Sequence, residues 1–182
     1  LLKTLVLSLA ILLILTATTG RVICLDLFTK SWMTRCFGEY AYLTCNWSFT
    51  DLDLVIVGDG PYKPKVEAYA ASRGLNVTFT GFLSKKEKIK WYQKAAVHIQ
   101  TSLKEGWGLS VIEANACGCP VVANNTTGLC DSVIDGETGL LYRFDDVSDA
   151  AEKVKVVLTN KGKCKELVNN GLAYAKDFSW SK

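Results

Sequence analysis

The chain has 182 residues, of which 49% are hydrophobic, so it is long enough to bury one core of ordinary domain size. Its 21 basic and 18 acidic residues leave a net charge of +3, and the two signs are interspersed along the chain. Proteins that bind nucleic acid typically carry a concentrated basic patch. The charge pattern therefore argues against that class, and we predict no nucleic-acid partner.

The cysteine pattern bears on metal binding and on the cellular compartment. The seven cysteines are an odd number, and no two of them have the Cys-x-x-Cys spacing of a zinc site. We therefore predict no metal ion. Cys117 and Cys119 are interpreted as small, reduced core residues, which indicates a reducing compartment. This predicts a cytoplasmic protein.

Residues 1–50 form the segment to which the sequence assigns least. Residues 1–19 are almost wholly apolar, which is typical of a signal-peptide core or of a short membrane anchor. Membrane association is predicted through this stretch, but a remnant of a truncated domain or an incomplete gene product fits the same residues. Residues 21–50 keep neither the helical nor the strand period, so they receive no assignment.

The remaining chain alternates short apolar runs with amphipathic segments, the pattern of a parallel sheet covered by helices. We place a domain boundary near residue 50 and predict an α/β, Rossmann-like, doubly wound fold over residues 51–182. The predicted strands cover residues 52–57, 76–80, 97–101, 120–123 and 139–142. The predicted helices cover residues 64–74, 84–95, 110–118, 147–158 and 163–176.

Two of these helices begin with the sequence of a capping box, in which Ser and Glu three residues apart bond to each other's backbone N–H groups. The first pair is Ser84 with Glu87, and the second is Ser110 with Glu113. The second pair gives Glu113 a structural interpretation that needs no ligand.

Three other features receive ordinary structural interpretations. His98, the single histidine, lies in a predicted apolar strand and is interpreted as a core residue, not as a general base. The glycines at 58 and 60 are interpreted as a turn, because the third glycine of a dinucleotide-binding loop is absent. The lysines between residues 153 and 165 are interpreted as a solvated helix face.

Residues 105–113 (EGWGLSVIE) lie where a predicted strand end meets a helix start, the edge at which doubly wound sheets bind ligands. Gly106 and Gly108 permit close approach to the backbone, and the free N–H groups of a helix's first turn favour a phosphate. Glu105 and Glu113 bracket this loop. Because carboxylates repel phosphate, we expect these two to face uncharged hydroxyl groups, such as those of a sugar ring.

These segments resemble those of the retaining GT-B glycosyltransferases of group 1, whose C-terminal nucleotide-sugar-binding domain carries a Glu-x7-Glu motif. The resemblance covers about residues 51–178. It runs in order through residues 54–61 (LVIVGDGP), 79–82 (FTGF), 105–109 (EGWGL), 113–123 (EANACGCPVVA) and 135–141 (DGETGLL).

The resemblance implies a role for each residue of the loop. Glu105, the implied catalytic residue, would bond hydroxyls of the transferred sugar, and Glu113 would receive the ribose hydroxyls. Backbone amides from Gly106 to Leu109 would hold the diphosphate, and the turn after the second strand would border the base. Trp107 either shields the sugar or packs beneath the loop. The implied donor-binding residues are Gly106, Trp107, Gly108, Leu109, Glu113, Phe82 and Leu83.

The implied reaction is transfer of a hexosyl group from a nucleotide diphosphate sugar, with retention, to a sugar, lipid or protein acceptor, without a cofactor. The sequence departs from the family upstream, where the expected arginine and lysine pair and the N-terminal acceptor domain are not matched. A truncated module that binds nucleotide sugar without turnover is therefore the alternative. A sugar-nucleotide epimerase of similar fold is a third hypothesis, against which the Glu-x7-Glu spacing argues.

Overall fold

The structure, a computed structural model, describes residues 22–26, 53–61, 63–72, 74, 77–144 and 146–178. Residues 1–19, for which we predict a signal or membrane-anchor segment, lie outside these ranges. Within the described ranges, no helix combines the length and the apolar character needed to cross a membrane.

Within the described residues, six parallel strands form one sheet in the order β3-β2-β1-β4-β5-β6. From β1, inside the sheet, the strands follow outward to β3, and β4 is then added on the other side of β1. This reversal is the doubly wound arrangement, and the predicted fold class is confirmed. The strands are β1 (Val22–Asp26), β2 (Asp53–Val57), β3 (Val77–Gly81), β4 (Ala95–Gln100), β5 (Val121–Asn124) and β6 (Leu140–Tyr142).

Strand β1 occupies the centre of the sheet, although the sequence analysis assigned no element there. Val22 pairs with Asp53 of β2 on one side and with Ala95 of β4 on the other. Strand β1 is as long as β2 and β3, but it was missed because residues 27–50, which follow it in the sequence, show neither the helical nor the strand period. The boundary near residue 50 stays a prediction, but β1 precedes it and pairs with strands that follow it.

In the part of the chain that the structure describes, six helices connect the strands or follow the last one. Each of the five predicted helices is present, with its ends within about two residues of the prediction. The short helix α4 was not predicted, because four residues span only one turn. The helices are α1 (Lys63–Ser72), α2 (Lys85–Lys94), α3 (Leu109–Ala116), α4 (Leu129–Ser132), α5 (Val147–Thr159) and α6 (Lys161–Ala175), and a 3₁₀ turn (Lys176–Phe178) follows α6.

The capping box at the start of α2 is confirmed. Ser84 Oγ accepts from the backbone N–H of Glu87 at 3.3 Å, and Glu87 Oε2 accepts from the backbone N–H of Ser84 at 2.9 Å. The hydrogen bond from the Ser84 side chain, and then the one from its backbone, lower the pKa of Glu87. Helix α2 therefore starts at a fixed residue directly after β3.

The predicted capping box at the start of α3 is wrong. The N-cap of α3 is Gly108, which adopts a left-handed conformation with φ of 78° and makes no side-chain cap bond. Ser110 and Glu113 consequently lie inside the helix, where their backbones are helical. The Ser110 hydroxyl instead donates to Gln100 Oε1 at 2.9 Å. Glu113 therefore does not have the capping role that the sequence suggested.

Apolar side chains cover both faces of the sheet. Val55 and Val57 pack in one cluster with Tyr92 of α2 and Val111 of α3. The residues that alternate with them on β2, Leu54 and Ile56, are also buried and must face the opposite side. Because both faces are covered, we expect a ligand to bind at the edge formed by the carboxyl ends of the strands.

The interpretation of His98 as a core residue agrees with the structure, since its side chain is fully buried and contacts the Tyr92 ring edge-on at 5.3 Å between centroids. Gly58 forms the turn after β2, where its N–H donates to the carbonyl of Gly81 at 2.8 Å. Of the late lysines, Lys155 and Lys165 are exposed, as a solvated helix face requires.

Candidate functional site

The candidate site begins at the loop between β4 and α3, which is held in place by the neighbouring loop after β5. Asn124 Nδ2 donates to the Ser102 carbonyl at 3.1 Å, and Thr126 Oγ1 donates to the Leu103 carbonyl at 2.7 Å. A Cβ atom at Gly128 would overlap the carbonyl oxygen of Glu105. Because Gly128 has no side chain, the two loops pack backbone to backbone at this point.

Gly108 ends this loop at a position that only glycine fits well. Its φ of 78° is strained for any residue with a side chain. A Cβ atom there would also lie 2.7 Å from Leu129 Cδ2 and 2.9 Å from Ser132 Oγ, both on α4. Glycine at this position lets α3 start directly against α4.

The Glu105 carboxylate is half-buried and is bonded through one of its two oxygens. Ser102 Oγ donates to Glu105 Oε1 at 2.6 Å, and Gln100 Nε2 donates to the same oxygen at 3.0 Å. Among the described residues no donor bonds Oε2. The carboxylate is thus fixed on the protein side while its second oxygen can accept a hydrogen bond from a ligand.

Backbone N–H groups lie beside this carboxylate. In the described part of the chain, the N–H groups of Gly106, Trp107 and Gly108 have no hydrogen-bond acceptor. The first N–H groups of α3, starting at Leu109, follow at the positive end of the helix dipole. Such a run of free donors is suited to an anion.

Glu113 forms an ion pair with Lys88, which projects from α2. Lys88 Nζ lies 2.5 Å from Glu113 Oε2, and the Glu113 side chain keeps 41% of its surface exposed. Cys117 follows one turn later, as the C-cap of α3. Burial raises the pKa of the Cys117 thiol, the negative charge of Glu113 raises it further, and Lys88 opposes both effects. The Glu113 carboxylate is therefore accessible to a ligand and is paired with the Lys88 ammonium group.

A groove of about 880 Å³ runs between α2, α3 and the end of α6. Trp107, Leu109 and Glu113, all predicted donor-binding residues, line it together with Lys88. Its remaining lining is formed by Lys85, Ile89, Tyr92, Gln93, Ile112, Ala116, Cys117, Ala175 and Phe178. The groove is amphipathic, with apolar walls and charged groups at its rim.

The other predicted site residues do not line this groove: Glu105, Gly106 and Gly108 belong to the loop before α3, and Phe82 and Leu83 lie elsewhere. Phe82 and Leu83 follow β3, where the Phe82 ring is 74% exposed and Leu83 packs partly against the core. Trp107 packs edge-on against Phe178, with 4.6 Å between ring centroids, while it also lines the groove. Packing of Trp107 is thus shown, and its shielding of a sugar stays a prediction, as do the donor contacts of Phe82 and Leu83.

Sequence reasoning missed Lys88 and Gln100, both of which contact a predicted site residue. Gln100 could have been noticed, because it is a polar residue at the end of an otherwise apolar strand. Lys88 could not, since nothing in an exposed lysine-rich helix distinguishes it before α2 and α3 are placed side by side. Within the described ranges, no cluster of three or more His, Cys, Asp or Glu residues has the arrangement of a metal site.

The family model for glycosyl transferases group 1 matches residues 40–173. The chain is 32% identical over 133 residues to an uncharacterized glycosyltransferase of Methanocaldococcus jannaschii, covering 72% of this chain and 38% of the relative. It is 33% identical over 128 residues to a D-inositol 3-phosphate glycosyltransferase of Streptomyces bingchenggensis, covering 69% and 28%. The chain therefore spans well under half the length of these two relatives.

Solved structures show the same fold. The Anabaena HepE protein in complex with UDP-glucose superposes with a TM-score of 0.75 at 22% identity, covering 87% of this chain and 44% of that one. The catalytic domain of a cholesterol-α-glucosyltransferase from Helicobacter pylori gives 0.74 at 18% identity, covering 88% and 100%. Because the family model matches more than half of the chain, the protein belongs to the glycosyl transferases of group 1, and its domain has their GT-B, Rossmann-like fold.

Proposed function

We propose that this chain binds a nucleotide diphosphate sugar and supplies the donor side of a hexosyl transfer that retains the anomeric configuration. The observation that carries the proposal is the Glu105 carboxylate, which has one oxygen held by the protein and one open beside the free N–H groups of residues 106–108. An oxygen suited to accept from sugar hydroxyls would thus lie next to N–H groups suited to a phosphate.

The separation of charges supports this orientation of the donor. A diphosphate would sit at the N-terminus of α3, where the amides of the Gly106 to Leu109 segment and the helix dipole favour negative charge. The sugar would then lie towards Glu105, whose charge strengthens hydrogen bonds from hydroxyl groups. The reverse orientation would place phosphate against the carboxylate, which Coulomb repulsion disfavours.

The ribose would occupy the groove near Glu113. In the structure this carboxylate is bonded to Lys88, so the two ribose hydroxyls would share or replace that ion pair. Glu113 lies about one turn into α3, so a released Lys88 would remain near the N-terminal end of this helix as a compensating positive charge for the diphosphate. Exposed ion pairs contribute only about 0 to 1 kcal/mol, so the exchange costs little.

In the reaction, the bond between the anomeric carbon and the diphosphate oxygen breaks, and its electron pair leaves with the diphosphate. An acceptor hydroxyl forms the new bond on the same face and releases its proton. Free N–H groups at the diphosphate would stabilise the charge that develops on it. Nucleotide-sugar binding is consistent with the UDP-glucose bound by the Anabaena relative. The acceptor and the absence of a cofactor are proposals carried by the family alone.

A binding module without turnover is the second candidate. It is favoured by the small cationic complement of the groove, whose lysines within the described residues are Lys85 and Lys88. The second of these is engaged by Glu113. The two candidates agree on donor binding and differ in turnover.

Isothermal titration calorimetry with UDP-glucose, UDP-N-acetylglucosamine and GDP-mannose, each compared with its free diphosphate, tests the proposal. We expect Glu105→Gln to weaken the tightest sugar nucleotide by about 10- to 100-fold more than the matching diphosphate, since hydrogen bonds to a charged group contribute roughly 1.5 to 3 kcal/mol. Exposed Glu137, on the turn before β6, provides the matched control Glu137→Gln, which should change neither affinity. An equal loss for sugar nucleotide and diphosphate would refute the role of Glu105.

A further inference from the structure

Gln100 is a polar residue in a place where an apolar one would be expected. It ends β4, next to the central strand of the sheet, and only 2% of its surface is exposed. Its neighbours on the same strand, Val97 and Ile99, are fully buried aliphatic residues. Burying an amide in such a position costs free energy unless every polar atom is bonded. Packing alone therefore does not explain a glutamine at position 100.

The amide of Gln100 is bonded at both ends, and this fixes its orientation. Ser110 Oγ donates to Gln100 Oε1 at 2.9 Å, because a carbonyl oxygen can only accept. Gln100 Nε2 in turn donates to Ser102 Oγ at 2.9 Å and to Glu105 Oε1 at 3.0 Å. A flipped amide would place its oxygen against the carboxylate and its NH₂ group against the hydroxyl. Because a serine hydroxyl can accept as well as donate, it is the acceptor-only carboxylate of Glu105 that fixes the amide orientation, and the Ser110 hydroxyl then bonds the remaining amide oxygen.

We propose that Gln100 is the positioning residue for Glu105: it holds Oε1 so that Oε2 points to the hydroxyls of the donor sugar. The inference rests on the proposed function. Through Ser110, which lies in the first turn of α3, the same amide links the carboxylate to the helix whose N-terminus would hold the diphosphate. The two halves of the donor site are therefore fixed relative to each other by one buried side chain.

A positioned carboxylate binds sugar hydroxyls without first losing its own rotational freedom. Ser102 alone leaves the carboxylate a single bond about which it can turn, whereas two donors on one oxygen restrict it. Loss of Gln100 should therefore affect recognition of the sugar and spare recognition of the diphosphate, which contacts backbone groups of the loop.

The test compares Gln100→Leu and Gln100→Glu with the wild-type chain, using calorimetry with UDP-glucose, UDP-N-acetylglucosamine and GDP-mannose and their diphosphates. For the tightest sugar nucleotide, we expect Gln100→Leu to weaken binding by about tenfold while diphosphate binding is unchanged, as for one hydrogen bond to a charged group. Thr138→Val is the matched control. Thr138 is also buried and bonded, but to the backbone of Ile134. It should lower thermal stability without changing the ratio of the two affinities.

Gln100→Glu adds a measurement, the pH dependence of binding, that would not change if Gln100 served only to pack the core. An ionised carboxylate at 100 repels Glu105, whereas a protonated one can still donate to it. The preference of this variant for sugar nucleotide over diphosphate should therefore recover as the pH falls from 8 to about 5.5, relative to wild type at each pH. The pH dependence of Gln100→Glu tests the positioning role even if Gln100→Leu folds poorly.

The outcomes separate the two claims. A wild-type preference for sugar nucleotide that persists unchanged in Gln100→Leu, or a Gln100→Glu preference that ignores pH, overturns the positioning role and leaves the proposed function standing. A wild-type chain with no preference for any sugar nucleotide over its diphosphate overturns the proposed function, and the positioning role falls with it.

Discussion

The two glutamates of the motif are held in different ways, and the difference suits different partners. Glu105 is fixed by neutral donors, Ser102 and Gln100, so its full negative charge remains to strengthen a hydrogen bond from a ligand. Glu113 shares its charge with Lys88 and keeps 41% of its side-chain surface exposed. A rigid carboxylate suits the reacting sugar, whereas an exchangeable one suits a ribose that must leave with the product nucleotide.

Cys117 reports on the charge of the Glu113–Lys88 pair. Because Glu113 raises the thiol pKa and Lys88 lowers it, Glu113→Gln should lower that pKa and speed alkylation of Cys117 by iodoacetamide at pH 8. Lys88→Met should raise the pKa and slow the reaction. Mass spectrometry of the modified peptides measures both rates, with exposed Cys130 as the internal control. Identical Cys117 rates in both variants would show that the pair does not act on the thiol.

At the scale of elements, the site depends on two loops that meet without side chains between them. The loop after β4 carries Glu105, and the loop after β5 supports it through Gly128 and the bond from Thr126. The carbonyl of Thr127 also accepts from the Glu105 N–H at 3.3 Å. The backbone of the loop after β4 is therefore set by the loop after β5.

Gly128→Ala tests this support, and Gly136→Ala is its matched control. Both glycines have positive φ, 86° and 78°, but a Cβ atom meets nothing within 4 Å at Gly136 and overlaps the Glu105 backbone at Gly128. Gly136→Ala should lower the free energy of unfolding by about 1–2 kcal/mol, the strain of a left-handed residue. Gly128→Ala should cost about 3 kcal/mol or more, since backbone overlap is added to the same strain.

Urea denaturation measures both costs, and calorimetry measures binding of UDP-glucose. Binding should weaken in Gly128→Ala and stay unchanged in Gly136→Ala. Equal losses of stability in the two variants would mean that the loops do not need close contact.

At the scale of the whole molecule, periodicity and turn residues were enough to predict five strands, five helices and the doubly wound class. They failed at β1, which precedes an aperiodic stretch of sequence, at α4, which spans only one turn, and at the cap of α3. There, two signals competed, and the left-handed glycine at 108 prevailed over the serine at 110. Of the partners of the site residues, Lys88 could not be predicted, because its contact with Glu113 joins two different helices. Gln100 lies only five residues before Glu105, and its polar character at the end of an apolar strand was overlooked.

The chain spans 38% and 28% of the length of two of its relatives, and this bears on turnover. The sequence does not match the arginine and lysine pair that the family resemblance leads us to expect. Removing one preorganised donor to a developing charge typically lowers the reaction rate about 100- to 1000-fold. We therefore expect the 182-residue chain to bind a sugar nucleotide and to release or transfer its sugar only at background rate. Radiolabelled UDP-glucose, followed by chromatography of the free sugar and nucleotide, measures this. Sustained transfer by the chain alone would favour the complete enzyme over the binding module.

The central claim, that residues 105–113 bind a sugar nucleotide, is tested most directly by amide hydrogen exchange read residue by residue by NMR. Saturating UDP-glucose, or the tighter-binding donor found by calorimetry, should slow exchange at Gly106, Trp107 and Gly108, whose N–H groups have no acceptor within the described residues. The N–H of Gly136, already bonded to the Gly139 carbonyl at 2.9 Å, should not change. Unchanged exchange in residues 106–108 at saturation, with protection appearing elsewhere, would contradict the account.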